Sequence, residues 1–439
     1  MTAHPTARPS RHDAVAGLLV ALVALPLCLG IAVASGFPPI AGVWTAIVGG
    51  LVTSLLGGAP LTIKGPAAGL IAVVLGTVTE LGGGDPAAGV RAALAVGVAA
   101  GLVQVLLSRL PVDAWASAFP PSVLQGMLAA IGVLLVTRQL PVWLGAPAAS
   151  GSTVERLLAL PAQVADANLA VLSVGLSATL VLVLWPRLPA RLTRWLPAPL
   201  LALVAAAIAG QALGVATGAE HRWFGHTQVV GVDPWLRLPA RPLTTLLTPD
   251  FARLLEPRTW WFVATWSWIG SVESVLSARA VDRLDPLRRT PDLSRDLFAV
   301  GAANALAALT GGLPMISEIV RSTANVKAGG RTRWANAAHG AALLALVTVA
   351  PGLLSYIPMA GLAGLLLYTA TLLAAQGPLT DPTARRAEHL LPYAVTAVTC
   401  VTTDLLVGVV CGLAASVLLR RLRAPGRAAT GLATAVTDR

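Results

Sequence analysis

The chain has 439 residues, 56% of them hydrophobic and 12% charged, where a soluble domain carries about 25% charge. That balance excludes a soluble enzyme or regulator and describes a polytopic membrane protein. The net charge of +11 (31 Lys+Arg against 20 Asp+Glu) does not describe a nucleic-acid binder either: the basic residues sit in short loops between apolar stretches, and no base-stacking or groove-reading module is present.

In chain order, residues 1–13, with His4, Arg8, Arg11 and His12, lack a signal-peptide cleavage pattern and read as a cytoplasmic tail. The first transmembrane repeat, 14–215, has apolar spans near 14–34, 40–57, 66–80, 87–109, 119–138, 167–185 and 197–215. The longest polar connection, 216–258, carries Glu220, His221, His226 and Asp233. The second repeat, 259–421, has spans near 259–281, 294–311, 314–327, 333–351, 357–375, 386–402 and 403–421, and 422–439 forms a short cytoplasmic tail. Fourteen spans are expected, with twelve as the alternative count. The clusters Arg187/Arg191/Arg194, Arg279/Arg283/Arg288/Arg289, Lys327/Arg331/Arg333, Arg385/Arg386 and Arg420/Arg421/Arg423 place their loops and both termini on the cytoplasmic side of the cell inner (plasma) membrane. Cys28, Cys400 and Cys411 lie in apolar runs without metal spacing, and no nucleotide, zinc-protease or nucleophile motif occurs, so no cofactor, metal or enzymatic chemistry is expected.

Two of the spans are too short. Thr62-Ile63-Lys64-Gly65-Pro66-Ala67-Ala68-Gly69-Leu70 runs on to Glu80, and Gly311-Gly312-Leu313-Pro314-Met315-Ile316-Ser317-Glu318 runs on to Lys327. Proline at the first helical position and glycine past the last predict helices over 66–80 and 314–327. Each is roughly 21–22 Å long, against a hydrocarbon core of about 30 Å. Seven elements per half is odd, so tandem copies insert with opposite topology, and the two half-helix starts face each other near the midplane as an anion site. Backbone N–H groups of Gly65, Ala67, Ala68, Met315, Ile316 and Ser317 are the expected donors, with the Ser317 hydroxyl as an extra one. The alternative for the small residues is ordinary helix packing. Gly97 to Gly101 and Gly408 to Gly412 carry the same small-residue pattern.

In their order along the chain these segments resemble the sulfate permease family of anion transporters. The resemblance is carried by Leu25-Pro26 with Gly36-Phe37-Pro38-Pro39-Ile40-Ala41-Gly42, by Gly65-Pro66-Ala67-Ala68, and by Ser271-Val272-Glu273-Ser274-Val275-Leu276. It continues in Gly311-Gly312-Leu313-Pro314 with Arg321-Ser322 and Gly330-Arg331-Thr332, and in Asp404-Leu405-Leu406-Val407-Gly408. It implies an all-α, seven-plus-seven inverted repeat, a core domain moving against a gate domain, a homodimer through the gate domain, and a small inorganic anion such as sulfate, bicarbonate, chloride or nitrate as substrate. Two features depart from the family. The 18 residues after Arg421 leave no room for the soluble STAS domain that commonly follows, and Leu27 stands where the family often has Gln. The variant resembles a subgroup associated with carbonic anhydrase partners, which tilts the substrate toward bicarbonate.

Glu273 sits mid-span, where an ionised carboxylate is costly. Its helical neighbours Gly270 and Ser277 make that face small, polar and inward. The resemblance implies that Glu273 couples transport to H⁺ or Na⁺, with Na⁺ bound there; a structural ion pair is the alternative. Glu318, near the second half-helix start, needs neutralising by Lys64, by Arg321 or by a proton. Lys64 either pairs with Glu318 across the two starts or binds the anion itself. Arg321 either attracts the anion or pairs with an acid. Asp404 reads as a cap, His339 as a packed or interfacial histidine, and Trp260, Trp261, Trp266 and Trp268 mostly as an interfacial belt. The leading expectation is coupled secondary transport by an elevator-like movement. The alternatives are a passive anion channel or exchanger, a nucleobase permease of related fold, and a subunit feeding bicarbonate to a soluble enzyme.

Overall fold

The structure, a computed structural model, describes residues 9–434 apart from 115–118, 150, 190–192, 194–195, 216–219, 224–225, 230–234, 237–241 and 376–386. Asp233, Arg191, Arg194, Arg385, Arg386, His4 and Arg8 therefore lie outside the described residues. Helices occupy all fourteen expected stretches. The first half holds α1 (Arg11–Ala34), α2 (Pro39–Leu56), strand β1 (Ile63–Pro66), α3 (Ile71–Gly82), α4 (Pro86–Leu107) and α5 (Pro121–Leu144). It continues with α6 (Thr153–Ala165), α7 (Leu169–Leu184) and α8 (Ala198–Ala212). Of these, α6 has no counterpart in the sequence reading: it is a surface helix with exposed Val154, Leu158 and Val164, begun by a capping box between Ser152 and Glu155.

The connection holds a hairpin, β2 (Glu220–Trp223) with β3 (His226–Val229). The second half holds α9 (Pro257–Asp282), α10 (Leu293–Leu309), strand β4 (Met315–Glu318), α11 (Ile319–Lys327), α12 (Trp334–Val349), α13 (Met359–Ala374), α14 (Ala387–Thr402) and α15 (Leu405–Thr434). Among the described residues, five helices are long and apolar enough to cross a membrane: α1, α2, α4, α5 and α7 with its 3-10 extension to Arg187.

The two short helices begin later than the prolines suggest. Pro66 ends β1, a single 3-10 turn (Ala68–Leu70) leads into α3, and Pro314 precedes β4. The reason is the backbone. An interrupted helix exposes N–H and C=O groups that lipid cannot satisfy, and here two extended segments satisfy each other. β1 and β4 run antiparallel, with Ile63 opposite Glu318, Lys64 opposite Ser317, Gly65 opposite Ile316 and Pro66 opposite Met315. Proline tolerates this extended backbone and lacks the N–H that would otherwise need a partner.

Packing sorts the helices into two groups. In the first, α4 packs on α10, α1 and α2 pack on α12, and α9 packs on α4 and β4. In the second, α5 packs on α13 and α14, α7 on α8 and α13, and α14 on α15. Small residues allow the tightest approach in the first group: a Cβ on Gly101 would meet the backbone of Gly301 and Ala305, and Gly97 lies against Ala308. Gly408 and Gly412 lie likewise against Cys400 and Thr396.

Asp13 closes the first group at one end. Its Oδ1 accepts the N–H of Arg331 (2.8 Å) and of Thr332 (2.9 Å), and its Oδ2 accepts the Thr332 hydroxyl (2.9 Å), tying the start of α1 to the loop after α11. Trp260 and Trp261 are about half exposed, as a belt requires. Trp266 is not part of it: the ring is buried and its Nε1–H donates to Thr77 Oγ1 at 3.1 Å, because its side of α9 faces α3 and not lipid. Asp404 caps α15 by accepting the Leu406 N–H at 2.6 Å.

Gly101→Val places a branched side chain against the α10 backbone. It should destabilise the protein by about 1–3 kcal/mol, the usual cost of overpacking, read as a lower midpoint of thermal unfolding in detergent.

Candidate functional site

The strands cross because polar side chains hold them there. The Lys64 ammonium donates to Asp296 Oδ1 at 2.6 Å and to Thr62 Oγ1, with both side chains of the ion pair at most 3% exposed. Asp296, from the first turn of α10, also accepts the Ala59 N–H (2.9 Å) and the Ser317 hydroxyl (3.0 Å). The Ser317 N–H donates to Ser274 Oγ on α9 at 3.1 Å. The Lys64 N–H donates to Asn336 Oδ1 on α12 at 3.1 Å, and the Asn336 amide donates to Thr53 Oγ1 on α2. Asn304 grips β4 by accepting the Met315 N–H (2.6 Å) and donating to the Met315 carbonyl (3.1 Å).

This corrects the pairing expected for Lys64. Its partner is Asp296, not Glu318. In an antiparallel ladder, neighbours along the strand point to opposite faces. Glu318 stands opposite Ile63, so Lys64 is turned away from it toward α10. Lys64 thus spends its charge inside the protein. The expected N–H donors are also largely engaged: Met315 to Asn304, Ser317 to Ser274, and Ala67 to the Pro314 carbonyl at 3.1 Å. Ile316 and Gly65 face each other in the ladder. These residues fail as helix-start donors because they lie in or beside the strands, before either helix begins.

The charged groups left at the crossing are Arg321, Glu318 and Glu273. Arg321 is 1% exposed, and none of its three guanidinium nitrogens has a hydrogen-bond partner among the described residues. It lies against Gly65, where any Cβ would overlap its Nη1. Glu273 is buried against Gly69 in the same way: a Cβ there would overlap the carboxylate, and its Oε2 has no partner. The glycines flanking Pro66-Ala67-Ala68 therefore make room, one for a cation and one for an anion. Glu318, half-buried at the N-cap of α11, turns toward the Ala68 backbone N–H and the Arg321 charge. Ser277, one turn beyond Glu273, is buried on the same face of α9.

The first residues of α11, Ile319 and Val320, are 37% and 49% exposed while Arg321 points the other way. The start of α11 thus has an exposed apolar face and a buried face that carries the positive charge. His339 is packed within the protein, 0% exposed, and its two ring nitrogens have no partner among the described residues. Asp296, Asn304 and Asn336 were missed by sequence reasoning. Their only signal is polar residues inside apolar helices, which points to no particular partner.

The model of the sulfate permease family matches residues 11–383. The bicarbonate transporter BicA of a Synechocystis species is 28% identical over 363 residues, 82% of this chain and 60% of that protein. YvdB of Bacillus subtilis, provisionally named a sulfate transporter, is 26% identical and covers 92% of this chain and 72% of its own length. The chain thus spans about three fifths of the first of these relatives. Among solved structures, the transmembrane domain of a cyanobacterial BicA superposes with a TM-score of 0.74 at 26% identity, over 93% of this chain and 97% of that one. The murine anion transporter Slc26a9, captured inward-facing, superposes with a TM-score of 0.80 at 17% identity over 95% of this chain and 70% of that one, a likeness of fold.

Lys64→Met leaves a buried carboxylate without its counter-charge and should cost about 3–5 kcal/mol. Lys64→Met with Asp296→Asn removes the charge while keeping one oxygen acceptor for the Ala59 N–H and an amide N–H that can donate to the Ser317 hydroxyl, and should recover much of the loss. Tryptophan-fluorescence unfolding of the purified protein reads both; a double variant no more stable than the single one would show that the charge is not what matters.

Proposed function

We propose that this chain, which belongs to the sulfate permease family, moves a small inorganic anion (sulfate, bicarbonate or similar) across the membrane by secondary active transport. The observation that carries the reading is Arg321. A buried guanidinium without acceptors is expensive, and an anion seated beside it at the start of α11 would lower that cost. The helix start adds its own partial positive charge and free N–H groups. Gly65 lets the guanidinium come up under the crossing.

Glu273 and Glu318 lie within electrostatic reach of each other. A proton or a Na⁺ shared near them would offset the repulsion of two carboxylates, which gives Glu273, with Ser277 beside it, the role of coupling site. The two helix groups are the natural moving parts. The first carries both half-helices and the charged cluster, and it would shift against the second in an elevator-like cycle. A homodimer through the second group is part of the same proposal. The names of the BicA relatives support bicarbonate as the anion, and a carbonic anhydrase that supplies or removes it is part of the same proposal.

Uptake into proteoliposomes of sulfate, bicarbonate, nitrate and chloride, at two pH values and with or without Na⁺, tests this directly. One anion should saturate, and Arg321→Gln should lower its transport about tenfold or more, the worth of a charge-assisted contact of roughly 1.5–3 kcal/mol. Glu273→Gln should remove the pH or Na⁺ dependence while anion exchange persists. Full transport by Arg321→Gln would overturn the site, and an unchanged ion dependence would take Glu273 out of the coupling.

A further inference from the structure

A cavity of about 300 Å³ opens between the two helix groups, away from the strand crossing. One wall comes from α1 (Gly30, Val33, Ala34) and from Leu75 of α3; the other comes from α5, α6 and α13. Leu75 is seven residues beyond Ala68, about 10 Å of helical rise, so the cavity stands above the first half-helix start. Its lining holds two charged side chains, both basic: Arg138 near the end of α5 and Arg156 in the first turn of α6. No hydrogen-bond acceptor or ion-pair partner is found for either guanidinium among the described residues, and Arg138 Nε is buried without one. The nearby carboxylate of Glu155 does not line the cavity and is occupied in accepting the Ser152 N–H at 2.7 Å. The Gln163 side chain donates to the Pro147 carbonyl at 3.2 Å, which steadies α6 over α5 and holds Arg156 over the opening.

Two like charges with low-dielectric walls and no counter-charge concentrate their field in the opening and draw in small anions. We propose that this cavity is a second anion site, a vestibule in which Arg138 and Arg156 gather an inorganic oxyanion before it reaches the half-helix starts. The proposal deepens the transport reading and rests on it for its purpose. The vestibule's affinity is measurable without transport.

The test uses the whole chain in phosphatidylcholine nanodiscs and proteoliposomes, with radiolabelled sulfate and bicarbonate as probes. In an Arg321→Gln background, weak binding should remain, and adding Arg156→Gln should abolish it. In the otherwise native chain, Arg138→Gln and Arg156→Gln should each raise the KM of uptake about tenfold with turnover unchanged, and should flatten its dependence on ionic strength. The KM of R156C should return toward the native value after labelling with a trimethylammonium methanethiosulfonate, and not after labelling with a sulfonate one. Residual binding that ignores both arginines, or no residual binding at all, overturns the vestibule. So does an effect that appears only when phosphatidylglycerol is present, which would assign the arginines to a lipid headgroup. Arg156 lies on a surface helix, so its variants report even if Arg138→Gln fails to fold. Native protein that transports neither probe while the vestibule binding persists would count against the transport reading alone.

Discussion

The buried pair of Lys64 and Asp296 is the constraint around which the first helix group is arranged. Taking two charges out of water is costly, and their attraction offsets this only where geometry is good and the remaining donors and acceptors are satisfied. Both conditions are met: Asp296 accepts from Lys64, Ala59 and Ser317, and Lys64 also reaches Thr62. Through Ser274 and Asn336 the same network extends to α9, α12 and α2. A break in two helices leaves backbone groups that lipid does not solvate, and this network fixes the register in which the breaks satisfy each other.

The pairing has an electrostatic consequence for the site. Since Lys64 and Asp296 neutralise each other, the field at the crossing is set by Arg321, Glu318 and Glu273. One cation faces two carboxylates there, and Arg321 has no direct partner among the described residues. A site of that composition is short of one positive charge when empty, and by more when an anion is present. That imbalance is the physical ground of the proposed coupling to a proton or Na⁺.

Much of the fold was legible in the sequence because lipid imposes a simple rule. Apolar stretches located every numbered helix but α6, and the two short ones marked the interruption. The prolines misplaced the starts of α3 and α11 by five residues each (66 to 71 and 314 to 319), since proline is as compatible with an extended strand as with a first helical turn, and pairing with a strand far along the chain leaves no local trace. For the same reason the sequence offers Lys64 only Glu318 or the anion as partners and not Asp296: strand alternation decides which way a side chain points, and the strands leave no local pattern. Glu273 was legible as a carboxylate amid apolar neighbours, and its place against Gly69 explains a glycine that sequence alone left as packing. Asp296 was not legible, because an acid in the first turn of a helix has an ordinary explanation in the helix dipole.

Asp13 grips the loop at Arg331 and Thr332, so the front of the first repeat is buckled to the back of the second. Together with the β-ladder, this fastens the first group at its middle and at one end. The second stub cannot slide alone along its own axis without unfastening three hydrogen bonds just beyond its far end. In the proposed elevator-like cycle, cargo seated between the stubs would travel with a stiff carriage, and the play would fall at the carriage's outer walls, where α1 meets α8 and α13.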